Sequence, residues 1–455
     1  MAGSELIEEI RRNAENGARA DVAKALGGIH PSEIAKIIDV LERDEQSFVL
    51  SSLSKSVASE VLPELDESLR EELLSILDED EIADIASEMD SDDAADLLQE
   101  LSEEKAEEVL SKIDPEERRE VEPLLKYPDD SAGGIMQTEV LKGSPESQVR
   151  ETIEKIRELS KSNNVEEYYK IYVVDEKDKL VGAVSLGKLA IADPVAPLWS
   201  VMESVSGQPT VSPLMDQEET AVMFRKYDLL SAPVVDENGT LLGRITGDDI
   251  MDVITEEAEE DIGRIVGLGD HLHPIHTPVF EKIKVRIPWI IFTLLGEILI
   301  AFLVLNNFQV TLEQFAILAA FMPAIMAAGG NVGVQTNTVV IRSLGLGSIS
   351  GGQVVSILFA ETKVGLILGL ICGIIGAFTV GFINPGDPSN FMVGSAVFIA
   401  MLTATIATSS IGVVLPMVLK KLNIDPAASS GPFLMMFNDM LGSVFYLFVG
   451  TVLLF

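Results

Sequence analysis

The chain has 455 residues, of which 72 are acidic and 33 are basic, so its formal net charge is −39. This acidic excess argues against nucleic-acid binding, because a phosphate backbone attracts Lys and Arg. Hydrophobic residues make up 47% of the chain, which is too many for a disordered acidic polymer. Residues 288–455 contain six acidic and four basic residues, and residues 1–287 contain the other 66 and 29. The sequence therefore predicts a polyanionic soluble region followed by a membrane domain.

Residues 31–125 repeat with a period near 12. Segments such as DESLREELLSIL (66–77) and DSDDAADLLQEL (90–101) open with Asp, continue with acidic residues and close with an aliphatic cluster. This pattern predicts a short helix with an N-cap and an acidic first turn, restarted in every repeat. One such helix cannot bury its apolar stripe alone, so we expect residues 1–128 to form an all-α superhelical N domain.

A second repeat follows at a spacing of 61 residues, since IYVVDEKDKLVGAVSLGKLA (171–190) matches APVVDENGTLLGRITGDDIM (232–251). Each copy predicts two strands joined by a turn and followed by a helix, with a further helical stretch upstream. This β-α-β-β-α pattern resembles a pair of α/β CBS domains, at residues 129–195 and 196–252. Such pairs sense a ligand or an ion and pass the signal to an attached effector.

The second copy carries a motif typical of nucleotide binding. Thr246-Gly-Asp-Asp249 has the [Ser/Thr]-x-x-Asp form with which CBS domains hold a nucleotide ribose, whereas the first copy reads Ser185-Leu-Gly-Lys188 and lacks the acid. The resemblance implies Thr246 and Asp249 as candidate nucleotide-binding residues, with ATP as a candidate cofactor.

Residues 253–280 connect this pair to the first apolar stretch. The segment DVITEEAEEDIGR (252–264) has a helical pattern and six acidic residues, so we predict an acidic linker helix between sensor and membrane. Three of the four histidines follow in HLHPIH (271–276). Such a cluster could bind a soft divalent ion or titrate at about pH 6.5. The other interpretation is a plain connector, and both remain open.

Five apolar stretches are long enough to cross about 30 Å of hydrocarbon, which takes roughly 20 helical residues. They lie near residues 288–305, 314–335, 362–383, 391–418 and 428–454. Lys and Arg flank the first stretch on its N-terminal side and lie near the connections after the second and fourth stretches. The positive-inside rule then places the N-terminus in the cytoplasm and the C-terminus outside. We therefore predict a five-helix transmembrane domain at residues 281–455, in the cell membrane.

The second stretch contains PAIMAAGGNVGVQ (323–335). Pro323 cannot donate a backbone hydrogen bond and Gly329-Gly330 disfavours a regular helix, so we expect unwound backbone there. Unwound backbone at membrane depth survives where it lines a water-filled path or is buried in protein. Asn331 and Gln335 would supply polar groups to such a path. The alternative is a kinked helix that packs through its small residues.

Asp439 is the only acidic residue well inside the fifth stretch. A carboxylate at that depth costs about 2.5–3.5 kcal/mol, and no basic residue lies in the core of any stretch to neutralise it. A bound cation is the natural compensation, and in a two-fold dimer two Asp439 side chains would form a divalent site. Glu297 in the first stretch is either a second polar contact or a helix-end residue.

The order of acidic repeat, CBS pair, acidic linker and five membrane stretches resembles the MgtE family of magnesium channels and transporters. The motifs that match are KYPDDSAGGIM (126–136), GGNVGVQ (329–335), DPAASSGPF (425–433) and NDMLG (438–442). The resemblance implies a homodimeric Mg²⁺ channel in the lipid bilayer, with a pore lined mainly by the second and fifth spans. It assigns Asp439 to the pore, with Gly330, Asn331 and Met435 as further candidate ligands. Gly431 stands where some members carry Asn, so a role for that side chain is not transferred.

The same resemblance implies regulatory Mg²⁺ sites among the cytosolic acids. The candidates are Asp249, Asp252, Glu257, Glu260 and Asp261 in and after the second CBS copy, and Asp90, Asp92 and Asp93 in the N domain. Acidic faces should repel one another when Mg²⁺ is scarce. Mg²⁺ keeps its waters and binds carboxylates loosely, so abundant Mg²⁺ would bridge these faces and close the pore. We therefore expect negative feedback on import.

Two other functions remain open. One is a coupled secondary transporter or a Co²⁺/Mn²⁺ importer, for which Glu297 is the candidate second intramembrane site. The other is a membrane-anchored ion or nucleotide receptor, which the GGN stretch and Asp439 disfavour. The sequence contains no nucleophile–base pair, phosphate loop or metalloprotease motif, so we expect no enzymatic activity.

Overall fold

The structure, a computed structural model, describes residues 2–159, 168–265, 268, 272, 277–347, 349, 351–383, 385–422, 424–429 and 431–455. The three histidines of HLHPIH lie outside the described residues. The chain forms two compact units, residues 1–256 and 257–455. The first contains the N domain and the two CBS-like copies, and the second contains the apolar helices.

The N domain is a run of short helices. They are α1 (Ala2–Glu15), α2 (Arg19–Leu26), α3 (Pro31–Asp39), α4 (Arg43–Leu50), α5 (Lys55–Val61), α6 (Glu67–Ile76), α7 (Glu79–Ala86), α8 (Ser91–Gln99), α9 (Glu103–Lys112) and α10 (Arg118–Val121). Helices α3 to α9 begin at residues 31, 43, 55, 67, 79, 91 and 103, which confirms the predicted repeat of 12 residues.

Acidic N-caps start some of these helices. Asp66 accepts a hydrogen bond from the Ser68 backbone N–H at 3.2 Å. Asp78 accepts one from the Glu81 N–H at 2.8 Å, and the Glu81 carboxylate accepts one from the Asp78 N–H. These bonds satisfy backbone donors that a short helix otherwise leaves unpaired. Helix α3 packs against α5, α5 against α7, and α7 against α9. The apolar stripe of each of these helices is therefore covered by the helix two positions along the chain, as the predicted stacking requires.

The CBS-like region repeats one hairpin. The described strands are β1 (Lys142–Gly143), β2 (Lys170–Val174), β3 (Leu180–Ser185), β4 (Glu203–Ser204), β5 (Ser231–Val235) and β6 (Leu241–Thr246), and the helices are α11 (Val149–Leu159), α12 (Leu186–Ile191), α13 (Leu198–Val201) and α14 (Gln217–Tyr227). β2 and β3 pair antiparallel, and β5 and β6 repeat the pairing with the same register shift, at Val173/Val174 and at Val234/Val235. The internal repeat is confirmed.

Each sheet of this region also takes residues from the other half. β4 lies after residue 195 but pairs with β3, with Gly182 opposite Ser204. Gln137 precedes both hairpins but bridges to Arg244 on β6. The two copies are therefore interleaved rather than joined end to end.

The predicted acidic linker is the second half of one helix. α15 (Gly247–Ile265) begins directly after β6 and continues through the acidic segment. Residues 248–262 contain no Pro or Gly, so nothing in the sequence ends the helix at the predicted CBS boundary near residue 252. The candidate sensor residues from Asp249 to Asp261 therefore lie on one continuous helix.

Five described helices of the second unit are long and apolar enough to span a membrane, as predicted. They are α16 (Val279–Gln314), α17 (Ile317–Gly345), α18 (Val354–Ile383), α19 (Asn390–Lys421) and α20 (Gly431–Leu454). Most extend beyond the predicted stretches, because hydropathy detects only the apolar middle of a helix whose ends are polar.

α17 is a continuous helix through Pro323 and Gly329-Gly330, so the expected unwinding is wrong. Both glycines are buried, and a Cβ on Gly329 would overlap the Asn438 side chain of α20. Close packing between helices thus outweighs the weak helix propensity of glycine, which costs about 1 kcal/mol relative to Ala. Of the alternative, a kinked helix that packs through its small residues, the structure confirms the packing.

α18 and α19 pack through a glycine face. Gly365, Gly369 and Gly373 are buried on α18, and a Cβ on each would overlap atoms of α19. Their spacing of four residues places them on one side of the helix. α19 also contacts α17 and α20, so it supports both helices that carry the GGN and NDMLG motifs.

Candidate functional site

Asp439 lies in α20 and is held by its neighbour Asn438. The Asn438 Nδ2 donates to Asp439 Oδ1 at 2.9 Å and to the Met326 carbonyl of α17 at 2.7 Å. Asn438 is 1% exposed, so this amide is fixed between the two helices. It therefore orients the Asp439 carboxylate and anchors it to α17.

Gly329 and Gly330 form the surface of α17 that receives Asn438. A Cβ on Gly330 would come within 3.3 Å of Asn438 Nδ2. The Thr408 hydroxyl of α19 donates to the Gly329 carbonyl at 2.9 Å, so three helices meet at this point. The glycines serve close approach, and Gly330, predicted as a pore ligand, is buried against Asn438.

The other pore candidates lie on exposed faces within this chain. Asn331 and Gln335 are exposed one turn apart on α17. Met435 is 45% exposed and lies one turn before Asp439 on α20. The structure therefore brings Asp439 together with Asn438 and the paired glycines, and it leaves Asn331 and Met435 uncovered.

Glu297 of α16 also reaches Asp439. Their carboxyl groups lie close enough to interact electrostatically, and they repel each other when both are ionised. Of the two interpretations left open by the sequence, the structure supports a second polar contact for Glu297.

A second acidic group lies where α8 meets α15 in the first unit. Asp92 is 6% exposed, and its Oδ1 atom has no hydrogen-bond partner. Burial, and then repulsion from Asp249, raise the pKa of Asp92 well above its usual range. Burial also raises the pKa of Asp249 to about 6, although a hydrogen bond from Thr246 opposes the shift. Two carboxylates from the N domain and the CBS-like pair thus oppose each other in a buried place.

The remaining predicted acids of the first unit surround this pair. Asp90 is the N-cap residue of α8. Burial and repulsion from Asp90 raise the pKa of Asp93 to about 7, and Asp252 adds further repulsion. The structure therefore brings together all five acids that the sequence analysis proposed for this region.

Two polar residues beside this group were not identified from the sequence. Glu139 accepts hydrogen bonds from the Ser91 backbone N–H at 3.1 Å and from the Ser91 hydroxyl at 2.7 Å. Gln137 Nε2 lies 3.5 Å from Asp249 Oδ2. Both residues come shortly after the KYPDDSAGGIM motif. Their position next to that motif was the one signal in the sequence that could have identified them.

The end of α15 carries a third acidic group, within the second unit. Arg264 Nη1 donates to Asp425 Oδ2 at 2.5 Å, and Arg264 also pairs with Glu260. Burial, followed by repulsion from Asp425 and Glu257, raises the pKa of Asp261 to about 6. The candidates Glu257, Glu260 and Asp261 thus share this end of α15 with the positively charged side chain of Arg264, which the sequence analysis did not identify.

Across the described ranges, no three Asp, Glu, His or Cys side chains converge closely enough to hold a metal ion directly. The carboxylates meet mainly in pairs, such as Asp92 with Asp249 and Glu297 with Asp439. Mg²⁺ usually keeps several waters and binds through one or two carboxylates, whereas zinc sites need three or four direct ligands. The arrangement therefore suits a hydrated hard cation.

The nucleotide-type motif forms a local cap. The Thr246 backbone N–H and hydroxyl donate to Asp249 Oδ2 at 3.2 and 2.6 Å. In the first copy, Ser185 accepts a hydrogen bond from the Lys188 N–H at 3.3 Å. Each motif thus starts the helix that follows its hairpin, and only the second copy adds a carboxylate.

Comparison with known families matches three parts of the chain. Residues 322–449 match a family described as "Divalent cation transporter", MgtE. Residues 29–130 match the MgtE intracellular N domain, and residues 201–256 match a CBS domain.

Two solved structures resemble just over half of the chain. The cytosolic domain of the Mg²⁺ channel MgtE, solved in complex with ATP, is 34% identical with a TM-score of 0.51, and the match covers 54% of this chain and 99% of that domain. The soluble part of a magnesium transporter is 28% identical with a TM-score of 0.51, over 56% of this chain and 99% of that structure.

Curated relatives match a larger share of the chain than these structures do. Magnesium transporter MgtE of Bacillus subtilis is 31% identical over 73% of this chain and 72% of its own length. Magnesium transporter MgtE of Thermus thermophilus is 32% identical over 74% of this chain and 72% of its own length. With relatives above 30% identity that it covers over more than two thirds of their length, and with matches to the transporter and N-domain families, the chain belongs to the MgtE family of magnesium transporters.

Proposed function

We propose that this chain carries Mg²⁺ across the membrane and that Asp439 binds the ion on its path. The identity of the ion is supported by the magnesium transporters to which the chain is related. The main support for Asp439 as the ion site is the Asn438 amide, which holds the Asp439 carboxylate against α17. A carboxylate at this depth costs about 2.5–3.5 kcal/mol, and a divalent cation supplies the missing positive charge.

The conducting form in this proposal is a homodimer with its N-terminus in the cytoplasm of the cell. Asn331, Gln335 and Met435 are uncovered on α17 and α20 near Asp439, as expected for a path that a second copy completes. The Lys and Arg residues that flank the spans favour this orientation.

The regulatory part of the proposal is closure by cytosolic Mg²⁺. Asp92 and Asp249 oppose each other in a buried place, and Asp92 Oδ1 has no partner. A hydrated Mg²⁺ ion between them would replace repulsion with attraction. The N domain and the CBS-like pair would then hold together more tightly when the ion is abundant.

A few weak sites are sufficient for such a gate. Moving a two-state equilibrium from 1:99 to 99:1 requires about 5.5 kcal/mol of differential binding. A tenfold preference at one site supplies about 1.4 kcal/mol. About four sites of that strength would close the path, and the acids at α8 and at both ends of α15 offer enough carboxylates.

The test is Mg²⁺ flux into proteoliposomes at low and high Mg²⁺ on the cytoplasmic side, for the wild type and Asp439→Ala. We expect flux at low Mg²⁺, suppression at high Mg²⁺, and loss of flux in the variant. Unchanged flux in Asp439→Ala would remove Asp439 from the path. Absence of flux in the wild type would favour the membrane-anchored receptor.

A second candidate property is modulation by ATP. The related cytosolic domain was solved with ATP, and Thr246 and Asp249 keep the motif in the second copy. Titration of the wild-type protein with ATP, followed by intrinsic fluorescence or calorimetry, tests it. Absence of saturable binding at millimolar ATP would eliminate this candidate.

A further inference from the structure

α16 and α20 run parallel in a fixed register. Phe292 stacks on Phe433 with a ring separation of 6.1 Å, and the Thr311 and Thr451 hydroxyls lie 2.9 Å apart. The two contacts are separated by similar lengths of chain on both helices, so the helices lie side by side over that whole length. Parallel packing is also what the first and fifth of five consecutive spans require.

Glycine at position 296 permits a close approach of the two helices. A Cβ on Gly296 would overlap the Met436 side chain of α20, so only glycine permits this approach without displacement. The next residue is Glu297, and Asp439 lies one turn beyond Met436. The register therefore explains why the Glu297 and Asp439 carboxyl groups meet.

This pair carries uncompensated negative charge when both carboxyl groups are ionised. Two carboxylates in contact inside a membrane repel strongly, because the surrounding dielectric is low. No Lys or Arg occurs between Ile287 and Ile341 or between Leu422 and Phe455, so the helices that form the pair contribute no basic side chain at its depth.

Asn438 links the pair to α17. Its Oδ1 is buried without a hydrogen-bond partner and faces Gly329, while its amide nitrogen donates to Asp439 and to Met326. Among the described residues, this nitrogen is the one hydrogen-bond donor to the pair, so the other carboxylate oxygens remain available to a hydrated cation.

We propose that Glu297 is a second ion-binding carboxylate, which acts with Asp439 to hold a hydrated divalent cation. Two carboxylates match the charge of one Mg²⁺ ion within a single chain. Glu297 then raises the affinity of the path for divalent over monovalent cations. This inference rests on the proposed transport function and assigns it a further specificity residue.

The test compares Glu297→Gln and Glu297→Met with the matched control Glu313→Gln. Glu313 lies on the same helix, is exposed, and pairs with Gln309 at 2.8 Å, so its loss removes the same charge away from the patch. Both Glu297 variants should fold, because removal of a charge from a span lowers the cost of insertion. The readouts are the Mg²⁺ concentration that gives half-maximal flux and the inhibition by hexaamminecobalt(III), a mimic of hydrated Mg²⁺.

We expect both Glu297 variants to raise the half-saturating Mg²⁺ concentration about tenfold and to weaken hexaamminecobalt(III) inhibition similarly, with the control within twofold of the wild type. Half-saturation and inhibition within twofold of the wild type in either folded variant would overturn the inference. Failure of the transport proposal is recognised separately, because the wild type would then show no flux or Asp439→Ala would retain it.

Discussion

At the scale of single residues, the site depends on how closely α17 and α20 approach. Asn438 occupies space that only a glycine at position 329 leaves open. Its one amide both orients Asp439 and joins the helices. In the proposed function, packing and ion binding are thus two roles of the same contact.

Substitution of Gly329 by Ala tests this dual role. The added methyl group would overlap Asn438, so we expect a loss of about 1–3 kcal/mol in the free energy of unfolding, together with a large loss of Mg²⁺ flux. Thermal unfolding of the detergent-solubilised protein and proteoliposome flux measure the two effects.

Gly381→Ala is the matched control for this substitution. Gly381 lies in α18, and a Cβ there would meet nothing within 4 Å. The control should leave flux unchanged and stabilise its helix by about 0.5–1 kcal/mol. Equal behaviour of the two variants would show that the contact with Asn438 does not matter.

At the scale of secondary-structure elements, short helices depend on their ends. Helices of seven to ten residues in the N domain have few internal hydrogen bonds, so the caps contribute a large share of their stability. The capping box of α7 is one described example, with Asp78 and Glu81 satisfying each other's backbone donors.

Asp78→Ala should therefore destabilise the N domain by about 1 kcal/mol. Thermal or urea unfolding followed by circular dichroism measures it. Glu107→Ala is the control, because Glu107 is exposed within α9 and Ala favours the helix interior. A loss in the control as large as that in Asp78→Ala would argue against a capping effect.

At the scale of the whole molecule, repulsion among the acidic residues of the first unit opposes its folding. The pKa of Asp93 is raised to about 7 and that of Asp249 to about 6. A carboxyl group whose pKa is higher in the folded than in the unfolded chain stabilises the fold below its unfolded pKa. That stability is lost as pH rises through the folded pKa.

Without Mg²⁺, the melting temperature of the protein should therefore fall as pH rises from about 4, the unfolded pKa of Asp, to about 7, the higher of the two folded values. Mg²⁺ should restore stability most at pH 8, where the carboxylates are ionised. Differential scanning fluorimetry with EDTA or Mg²⁺ at each pH measures this, and Asp93→Asn should flatten the profile. A pH-independent melting temperature without Mg²⁺ would contradict the assignment.

Local patterns in the sequence were sufficient for the elements and their order. The 12-residue repeat predicted where α3 to α9 begin, because an N-cap and an apolar stripe are both local signals. Hydropathy predicted the five spans for the same reason, and the position of Asp439 in an apolar stretch without bases already indicated an ion site. Resemblance to a family, rather than any single spacing, connected these parts to magnesium transport.

Only the tertiary structure decided how the pieces meet. Propensity predicted unwinding at Gly329-Gly330, but packing against Asn438 and Thr408 keeps α17 helical. The sequence could not show that Glu297 lies beside Asp439, nor that Asp92 lies beside Asp249, because each pair is more than 140 residues apart and depends on how helices pack. Local composition determined which segments are helices, strands and spans, whereas long-range packing decided which carboxylates lie beside each other.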